Sequence, residues 1–398
     1  MALRVLVADR LSASALDALH ALGAEVHVEP ELSAADLPAA IGRTEILVVR
    51  STKVTRATIE AGRHLSLIVR AGAGVNTIDI NAASEYGISV TNCPGKNTAA
   101  VAELAIGLII AADRRIPAAT ADLKAGRWRK KEYGAARGLF GRTLGIVGFG
   151  SIGRAVAERA VGLGMVVCAW SRSLTDEQAK RAGVRRYAAL TELATRSDVV
   201  TVHLAAGPET VGLIDAGFFA ALPEGAIFVN TSRGEIVDEQ ALADAISGRG
   251  IRAALDVFAD EPQGGDAPYE HPNLVRELCA ATPHVGASTD QASEAVAAEV
   301  VRIVEEYLRS GKPINAVNIR ESSQTAVSLV VRHFNRVGVL AGVLDALKDA
   351  GINVEEMENT IFHGGATASC ALRLDQAPDA AAIERIRSAE SIIQVMLK

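Results

Sequence analysis

Three glycines spaced as Gly-x-Gly-x-x-Gly, namely Gly148, Gly150 and Gly153, stand between an apolar run typical of a strand and a helical pattern. In this context the first glycine permits a tight turn, the second lets a phosphate approach the backbone, and the third lets the helix pack on the strand. The start of the helix, at Ser151 and Ile152, offers free N–H groups and the positive end of the helix dipole. The sequence therefore predicts a strand–turn–helix unit that holds the pyrophosphate of a dinucleotide.

Short apolar runs alternate with helical patterns in two series, one within residues 1–97 and one from Leu144 onward. Such alternation builds parallel sheets with helices on both faces. The segment from residue 326 instead has the order strand–helix–strand–strand–helix–strand, with its middle strands predicted to pair around His363-Gly364-Gly365. The predicted fold class is α/β, with two doubly wound parallel-sheet domains and a small ferredoxin-like βαββαβ domain, which we expect to be regulatory.

Composition argues against several classes of function. The 398 residues carry a net charge of −6, so nucleic acid is not an expected partner. The longest apolar helical stretch, Val101–Ala112, is too short to cross a bilayer and contains Glu103, so no membrane association is expected. The four cysteines form no CxxC pair, which predicts four buried free thiols in a reducing cytosol. We expect a cytoplasmic protein without a signal peptide, and no metal site is predicted.

The end of the next predicted strand bears on the choice of dinucleotide. An acidic residue is expected there, about 20 residues beyond the glycines, to bind the ribose 2′-hydroxyl of NAD. The chain has Ser171 followed by Arg172 instead, and a hydroxyl beside a guanidinium suits a 2′-phosphate. Arg172 would equally stack on the adenine or point into solvent. The sequence therefore predicts NAD as the cofactor and leaves NADP open.

Three chemically apt side chains follow three successive predicted strands, namely Arg233, Glu261 and His284. Ligands of open α/β sheets bind beyond the carboxyl ends of the strands, so we expect these residues to share a site beside the dinucleotide. Removing hydride from a hydroxy acid requires a base for the hydroxyl proton, and His284 suits that role with Glu261 orienting its ring. Arg233 offers a planar fork to a carboxylate and a carbonyl. Asp256 is a candidate for holding the carboxamide end of the cofactor.

The motifs TSRGEIVDE, ALDVFADEP and TPHVGAST, which contain these residues, resemble those of the D-2-hydroxyacid dehydrogenase family. The resemblance covers about Arg4 to Asn318, and the remainder resembles an ACT domain. It implies an outer, substrate-binding domain of residues 1–97 and 291–318, a Rossmann-type NAD(P)-binding domain of residues 98–290, a linker of residues 319–325 and an ACT regulatory domain of residues 326–398. Three further residues join the predicted cofactor contacts, namely Thr231, Gly286 and Ala287.

The resemblance also implies where a substrate binds. The loop Arg70–Asn76 looks like the family's carboxylate-binding loop, with Ala73 and Gly74 among its predicted contacts, and its glycines allow close approach. Arg50, Lys53 and the first residue of that loop all follow strands of one domain. These three cations either meet a substrate phosphate or are ordinary surface charge.

The leading hypothesis that follows from the resemblance is the oxidation of 3-phospho-D-glycerate to 3-phosphohydroxypyruvate in L-serine biosynthesis. The basic run Arg127–Lys131 either is a solvated face or resembles a stretch near the phosphate end in some relatives, reaching a neighbouring subunit. A glyoxylate or hydroxypyruvate reductase is the nearest alternative, which Ser171 and Arg172 would suit. A dinucleotide-sensing interaction protein is an alternative from another class, and turnover distinguishes it from both enzymes.

In the ACT-like segment, His333, Asn335 and Asn353 match positions that bind serine in feedback-inhibited relatives. Amide side chains both donate and accept hydrogen bonds, which suits an amino-acid effector. The alternative is that the asparagines form turns and the histidine is solvated. Val337 stands where the motif often has proline. The resemblance further implies a homodimer or homotetramer, with ACT units pairing sheet edge to sheet edge.

Overall fold

The computed structural model describes residues 3–262, 267–269, 274–320 and 327–398. Its contacts divide the chain into two compact units, residues 1–318 and residues 319–398. The larger unit contains two parallel sheets and the smaller unit contains one antiparallel sheet. Most of the predicted linker, residues 321–325, lies outside the described residues.

The first sheet of the larger unit has five parallel strands. They are β1 (Arg4–Val7), β2 (Glu25–Val28), β3 (Ile46–Val49), β4 (Leu67–Arg70) and β5 (Ser89–Thr91), in the order β2-β1-β3-β4-β5. The intervening helices are α1 (Ala13–Ala21), α2 (Leu37–Ala40), α3 (Arg56–Ala61) and α4 (Ile80–Glu85). Every residue of β3 is buried, as expected for a central parallel strand covered on both faces.

The second sheet follows three helices, α5 (Thr98–Arg114), α6 (Ile116–Lys124) and α7 (Lys130–Tyr133). Its seven strands are β6 (Thr143–Val147), β7 (Val166–Trp170), β8 (Arg185–Arg186), β9 (Val199–Val202), β10 (Ile227–Asn230), β11 (Arg252–Leu255) and β12 (Ala280–Ala281), in the order β12-β11-β10-β9-β6-β7-β8. Its helices are α8 (Ser151–Gly162), α9 (Asp176–Arg181), α10 (Leu190–Thr195), α11 (Ala216–Ala221) and α12 (Glu239–Arg249). The strand order reverses between β6 and β9, which is where doubly wound sheets bind ligands.

The chain returns to the first sheet after completing the second. Helix α13 (Asp290–Ser310) buries Val300 and Val304 in a hydrophobic cluster with residues of β1, β3 and β4. Beyond it, the N–H of Val317 donates to the carbonyl of Val90 in β5 at 2.8 Å. The core around the first sheet is therefore built from two separate stretches of chain. The boundaries predicted at residues 97/98 and 290/291 remain a prediction.

The smaller unit has the predicted strand and helix order. Its elements are β13 (Val327–Phe334), α14 (Val339–Asp349), β14 (Val354–Ile361), β15 (Thr367–Leu374), α15 (Ala380–Arg387) and β16 (Ile392–Leu397). The antiparallel sheet runs β14-β15-β13-β16, the ferredoxin-like order, and the turn between β14 and β15 contains Gly364 and Gly365 at φ of 87° and 74°. The predicted fold class is therefore confirmed for both units.

No helix in the described ranges is long and apolar enough to cross a membrane. Nor do the described residues bring three or more His, Cys, Asp or Glu side chains together as a metal site. All four cysteines are free thiols, and Cys93, Cys168 and Cys370 are buried as predicted. Cys279 is only partly buried, so the prediction of four buried thiols is wrong there. It precedes β12, an edge strand with a neighbour on one side only.

Candidate active site

Two of the three predicted catalytic side chains are in direct contact beyond the ends of β11 and β12. Nδ1 of His284 lies 2.6 Å from Oε2 of Glu261, and the backbone N–H of Phe258 donates to Oε1 of the same carboxylate at 3.1 Å. Each carboxylate oxygen therefore has its own partner, which fixes the carboxylate and, through it, the imidazole. Nε2 lies on the other side of the ring from this contact.

The surroundings of Glu261 favour its ionised form. Burial alone would raise the pKa of this carboxyl, but three neighbours outweigh it. These are the hydrogen bond and charge of His284, the N–H of Phe258 and the charge of Arg233, and together they hold the pKa below its usual value. The pKa of Glu261 is therefore that of a carboxyl which is ionised at neutral pH.

Asp256 holds the loop that carries His284. Its carboxylate accepts hydrogen bonds from Oγ1 of Thr282 at 2.6 Å and from the backbone N–H groups of Val285 and Gly286 at 2.9 Å each. Its carbonyl accepts the N–H of His284, a non-glycine residue at φ of 53°. Burial raises the pKa of Asp256, and these hydrogen bonds offset part of that rise. The contact with a carboxamide predicted for Asp256 stays a prediction, whereas its bonds to the loop that carries His284 are observed.

Arg233 is positioned by Asn230, a residue that the sequence analysis did not single out. The side-chain amide of Asn230 donates to the carbonyl of Arg233 at 2.8 Å. Its Oδ1 accepts from the N–H and the hydroxyl of Ser232, at 2.9 and 2.7 Å. Asn230 is 1% exposed, so these bonds form away from water. In the sequence, this role is indicated only by the amide side chain that ends the otherwise apolar strand IFVN.

Arg50, Arg70 and Arg233, which we call the arginine group, lie close enough for their charges to act on one another. Burial, followed by the charges of Arg233 and Arg50, lowers the pKa of Arg70 to about 10. Its buried Nε has no hydrogen-bond partner among the described residues. A Cβ at Gly72 would overlap the Arg70 guanidinium, and one at Gly74 would overlap that of Arg233. Guanidinium groups held this close, with a buried donor left over, suit an anionic ligand.

The loop after β3 carries two of the predicted phosphate contacts and is held by Asp9, which the sequence analysis also missed. One oxygen of Asp9 accepts the N–H groups of Arg50, Ser51 and Thr52 at 2.6, 3.1 and 3.1 Å. Lys53 follows directly and its side chain is exposed.

The glycine motif has the geometry expected of a pyrophosphate site. Gly148 adopts φ of 97°, and a Cβ there would overlap the carbonyl of His203. A Cβ at Gly153 would overlap the carbonyl of Gly148, so the third glycine permits close packing of helix on strand. A Cβ at Gly150 would meet nothing within 4 Å, which leaves open space at the start of α8. The first N–H groups of that helix have no intrahelical acceptors and are the expected phosphate donors.

The remaining predicted cofactor residues lie along the same edge of the sheet. Thr231 follows β10, and its buried Oγ1 has no partner among the described residues. Gly286 and Ala287 lie in the loop after β12, where a Cβ on Gly286 would come within 2.9 Å of the Asp256 carboxylate. The glycine motif, which we call the glycine cradle, and the unpartnered hydroxyl of Thr231 lie at the same edge of the sheet. Together they fit a bound dinucleotide.

A cavity of about 420 Å³ lies beyond the ends of β7 and β9. Its lining comprises Trp170, Ser171, Arg172, Ser173, Leu204, Glu209 and Thr210. The predicted residues Ser171 and Arg172 are thus beside the cradle, where the adenosine half of a dinucleotide would lie. Arg172 forms an ion pair with Glu209, a residue that the sequence analysis did not consider.

In the smaller unit, His333 is 2% exposed, so the alternative of a solvated histidine is wrong. Its Nδ1 lies 2.8 Å from the carbonyl of Phe334 and its Nε2 lies 3.1 Å from Oδ1 of Asn359. Asn335 donates from its side chain to the carbonyl of Gly365 at 2.9 Å. His333 and Asn335 are therefore adjacent and both are held by neighbouring elements.

Within one chain, Asn353 lies far from His333 and Asn335. His333 pairs with Ala368 near one end of β15, whereas Asn353 precedes Val354, which pairs with Leu374 at the other end. The intervening strand is about 20 Å long. One site containing all three predicted effector residues therefore needs a second copy of the chain.

Comparison with known proteins identifies the class to which this fold and site belong. Residues 106–286 match the family model described as D-isomer specific 2-hydroxyacid dehydrogenase, NAD binding domain. The chain belongs to the D-2-hydroxyacid dehydrogenase family, and the glycine cradle lies in its NAD-binding domain. The observed cradle and the family model therefore agree on NAD as the cofactor.

Two relatives with the same name match most of this chain. The chain is 37% identical over 356 residues to D-3-phosphoglycerate dehydrogenase of Methanocaldococcus jannaschii, covering 89% of this chain and 67% of the relative. It is 41% identical over 320 residues to the protein of the same name from Archaeoglobus fulgidus, covering 80% of this chain and 59% of the relative. The chain thus spans about three fifths to two thirds of the length of these relatives.

The solved structure of NAD⁺-bound 3-phosphoglycerate dehydrogenase from Entamoeba histolytica superimposes with a TM-score of 0.68 at 28% identity, covering 81% of this chain and all of that one.

Proposed function

We propose that this chain oxidises the C2 hydroxyl of 3-phospho-D-glycerate to the ketone of 3-phosphohydroxypyruvate, the entry reaction of L-serine biosynthesis. The observation that carries the proposal is the position of Arg233 between two groups of side chains. Its charge acts on Glu261, the partner of His284, and also on Arg70 beside Arg50. In 3-phospho-D-glycerate the C2 hydroxyl would meet His284, the carboxylate would meet Arg233, and the phosphate would meet Arg70 and Arg50.

The residues divide the chemistry between them. As the C2–H bond breaks, Nε2 of His284 accepts the proton of the C2 hydroxyl, and the ionised Glu261 stabilises the imidazolium that forms. The glycine motif at Gly148, Gly150 and Gly153 would hold NAD, which would supply the acceptor for the hydride and its two electrons. Arg233 binds the substrate carboxylate and polarises the C2 oxygen as the carbonyl develops. The reverse reaction uses the same groups, with His284 as the acid.

The arginine group and the loop beside it hold the substrate. Ala73 and Gly74 allow the backbone to approach the substrate carboxylate, and the carbonyl of Ala73 is fixed by the side chain of Asn92 at 2.6 Å. Arg70 and Arg50 neutralise the phosphate, with Lys53 at the outer end of the site. Burial is the main cause of the lowered pKa of Arg70, and a bound dianion would offset the further contribution from the charges of Arg233 and Arg50.

Initial rates test the proposed substrate. With NAD, 3-phosphoglycerate is expected to be oxidised with a kcat/KM at least about a hundredfold above that for glycerate or lactate, because only the phosphorylated substrate meets the arginine group. Arg70→Lys keeps one charge and removes the fork, and should raise the KM for 3-phosphoglycerate with little effect on glycerate. Reduction of glyoxylate or hydroxypyruvate without turnover of 3-phosphoglycerate would overturn the substrate and retain the mechanism. No turnover of any 2-hydroxy or 2-keto acid would favour the dinucleotide-sensing protein.

The smaller unit is proposed to be an ACT domain that binds serine between two copies of the chain. Support comes from its ferredoxin-like sheet and from the separation of Asn353 from His333 and Asn335. The assembly is then a homodimer or a homotetramer, and the free thiols fit a cytoplasmic location. Equilibrium dialysis of labelled serine against the full chain should show saturable binding that Asn353→Ala removes, while light scattering reports the mass of the assembly. A monomer that binds serine, or a dimer that does not, contradicts this proposal.

A further inference from the structure

The adenosine end of the dinucleotide site contains a carboxylate that does not come from the expected strand. NAD-binding sheets usually place an acidic residue at the end of the strand that here is β7, where it binds the ribose hydroxyls. This chain has Ser171 at that position, and a guanidinium follows it at Arg172. Glu209, in the loop after β9, lines the cavity that Ser171 and Arg172 also line.

The loop that carries Glu209 is fixed by its neighbour. Thr210 is 6% exposed, and its hydroxyl donates to the carbonyl of Ala205 at 2.7 Å. Its N–H also donates to the carbonyl of Gly207 at 2.9 Å, which closes a tight turn. Glu209 is therefore attached to an ordered backbone at the rim of the cavity, although its side chain is 71% exposed.

The ion pair between Arg172 and Glu209 is better explained by ligand selection than by folding. Both side chains are largely exposed, at 65% and 71%, and an exposed pair contributes about 0–1 kcal/mol to stability. The pair does determine the charge that a ligand meets. A 2′-phosphate would compete with Glu209 for Arg172 and would be repelled by the carboxylate, whereas a 2′-hydroxyl can donate a hydrogen bond to it.

We infer that Glu209 supplies the carboxylate that β7 lacks and that it selects NAD against NADP by occupying Arg172. The arginine that makes the sequence look compatible with NADP is thereby neutralised. This inference rests on the proposed function only in taking a nicotinamide dinucleotide as the cofactor, and it is independent of the substrate that is oxidised.

Calorimetric titration of the full chain with NAD⁺ and NADP⁺, without substrate, tests the inference. The wild-type protein is expected to bind NAD⁺ more tightly. Glu209→Gln should strengthen NADP⁺ binding by about tenfold and weaken NAD⁺ binding, because it removes one negative charge near the phosphate and frees Arg172. Adding Arg172→Ala to that variant should abolish the gain. The gain should also shrink at high salt, since the groups are exposed.

Glu177→Gln is the matched control, because Glu177 forms a similarly exposed ion pair with Arg181 on α9 without lining the cavity. It should leave both affinities unchanged. The inference fails if the wild-type protein prefers NADP⁺, or if Glu209→Gln leaves the ratio of the two affinities as it was. Loss of turnover on 3-phosphoglycerate in a separate assay would overturn the proposed substrate and leave these binding results standing.

Discussion

At the scale of single residues, the site depends on three carboxylate or amide groups that touch no predicted substrate atom. Asp9 and Asp256 follow strands and bind the backbone of a loop from another part of the chain, and Asn230 ends a strand and binds the loop that directly follows it. Those loops carry Arg50, Arg233 and His284. The chemistry of Arg50, Arg233 and His284 identifies them in the sequence. Asp9 and Asn230 were not predicted, and Asp256 was predicted only as a cofactor contact, because their backbone partners depend on which loop meets which strand end. That information appears only after folding.

His284→Ala tests the role of the predicted base. Removing the imidazole removes the proton acceptor, so kcat should fall by about 10² to 10⁴. The affinity for NAD⁺ should change by less than about threefold, since the loop is fixed through the backbone and the Asp256 carboxylate. Stopped-flow measurement of NADH formation and calorimetric titration of NAD⁺ give the two quantities. Parallel loss of both would show that His284 acts on cofactor binding instead.

Asn230→Ala tests whether Arg233 depends on its neighbour. Without the amide, the carbonyl of Arg233 and the N–H of Ser232 lose buried partners, which costs about 1–3 kcal/mol of unfolding free energy. The KM for the hydroxy acid should rise by about tenfold as the guanidinium becomes less well placed. Ser232→Ala removes one of the hydrogen bonds and keeps the amide, so its KM should stay near that of the wild type. An Asn230→Ala protein that is destabilised but has an unchanged KM would make the role of Asn230 purely structural.

At the scale of elements, the long and regular segments were predictable, and the short ones were not. The apolar runs of β3 and β9 and the helical pattern of α13 predict their elements directly. No apolar pattern predicts β8, because it is a two-residue edge strand made of Arg185 and Arg186. In the same way the register of β13 and β14 against β15, which separates Asn353 from His333, cannot be read from either strand alone.

Replacing Gly153 or Gly162 of helix α8 by alanine should affect NAD⁺ affinity in the first case and stability in the second. In Gly153→Ala, the new Cβ would overlap the carbonyl of Gly148, so the cradle must shift and NAD⁺ affinity should fall by more than about tenfold. In Gly162→Ala, the Cβ meets nothing within 4 Å, so stability should rise by about 0.5–1 kcal/mol with unchanged affinity. Titration of NAD⁺ and urea unfolding of both variants check this. Equal losses of affinity would mean that the third glycine has no special place in the cradle.

A buried carboxylate on helix α13, that of Glu299, pairs with Lys96 just before helix α5. Glu299 is 4% exposed and contacts Lys96, Arg302 and Asn315. The hydrogen bond of Arg302 outweighs the effect of burial, and with the other two partners it lowers the pKa of Glu299 from 4.5 to about 2. A lowered pKa in the folded state means that the charged form stabilises the fold. That stabilisation is present above about pH 4.5 and is lost as the pH falls toward 2.

Glu299→Gln should therefore lower the unfolding free energy at pH 7 by about 2 kcal/mol, and the difference from the wild type should shrink by about half at pH 3. Urea unfolding at the two pH values measures it. Glu306→Gln is the control, because Glu306 lies on the same helix and pairs with the exposed Arg309. A constant difference between pH 7 and pH 3 would show that the ionisation of Glu299 is not what stabilises the helix.

At the scale of the whole molecule, the division at residue 318 separates chemistry from proposed regulation. The predicted catalytic residues Arg233, Glu261 and His284 lie in the larger unit, as do the glycine motif and the other two arginines of the site, Arg50 and Arg70. A chain ending at Asn318 should keep NAD⁺ binding and turnover within about threefold of the full chain and should lose any response to serine. Its rates with and without serine provide the check. Retained inhibition by serine in the shortened chain would place the effector site in the larger unit.

The return of α13 to the first sheet has a consequence for synthesis on the ribosome. The strands of that sheet are complete by Thr91, but the helix that covers one of its faces ends at Ser310. At ordinary translation rates of about 5–20 residues per second, that apolar face waits about 10–40 s for its cover. The second sheet, contiguous in the chain, can close first. The N-terminal segment that forms the first sheet, Arg4 to Thr91, is thus the last part of the larger unit to become native, and it is the part that chaperones would be expected to hold.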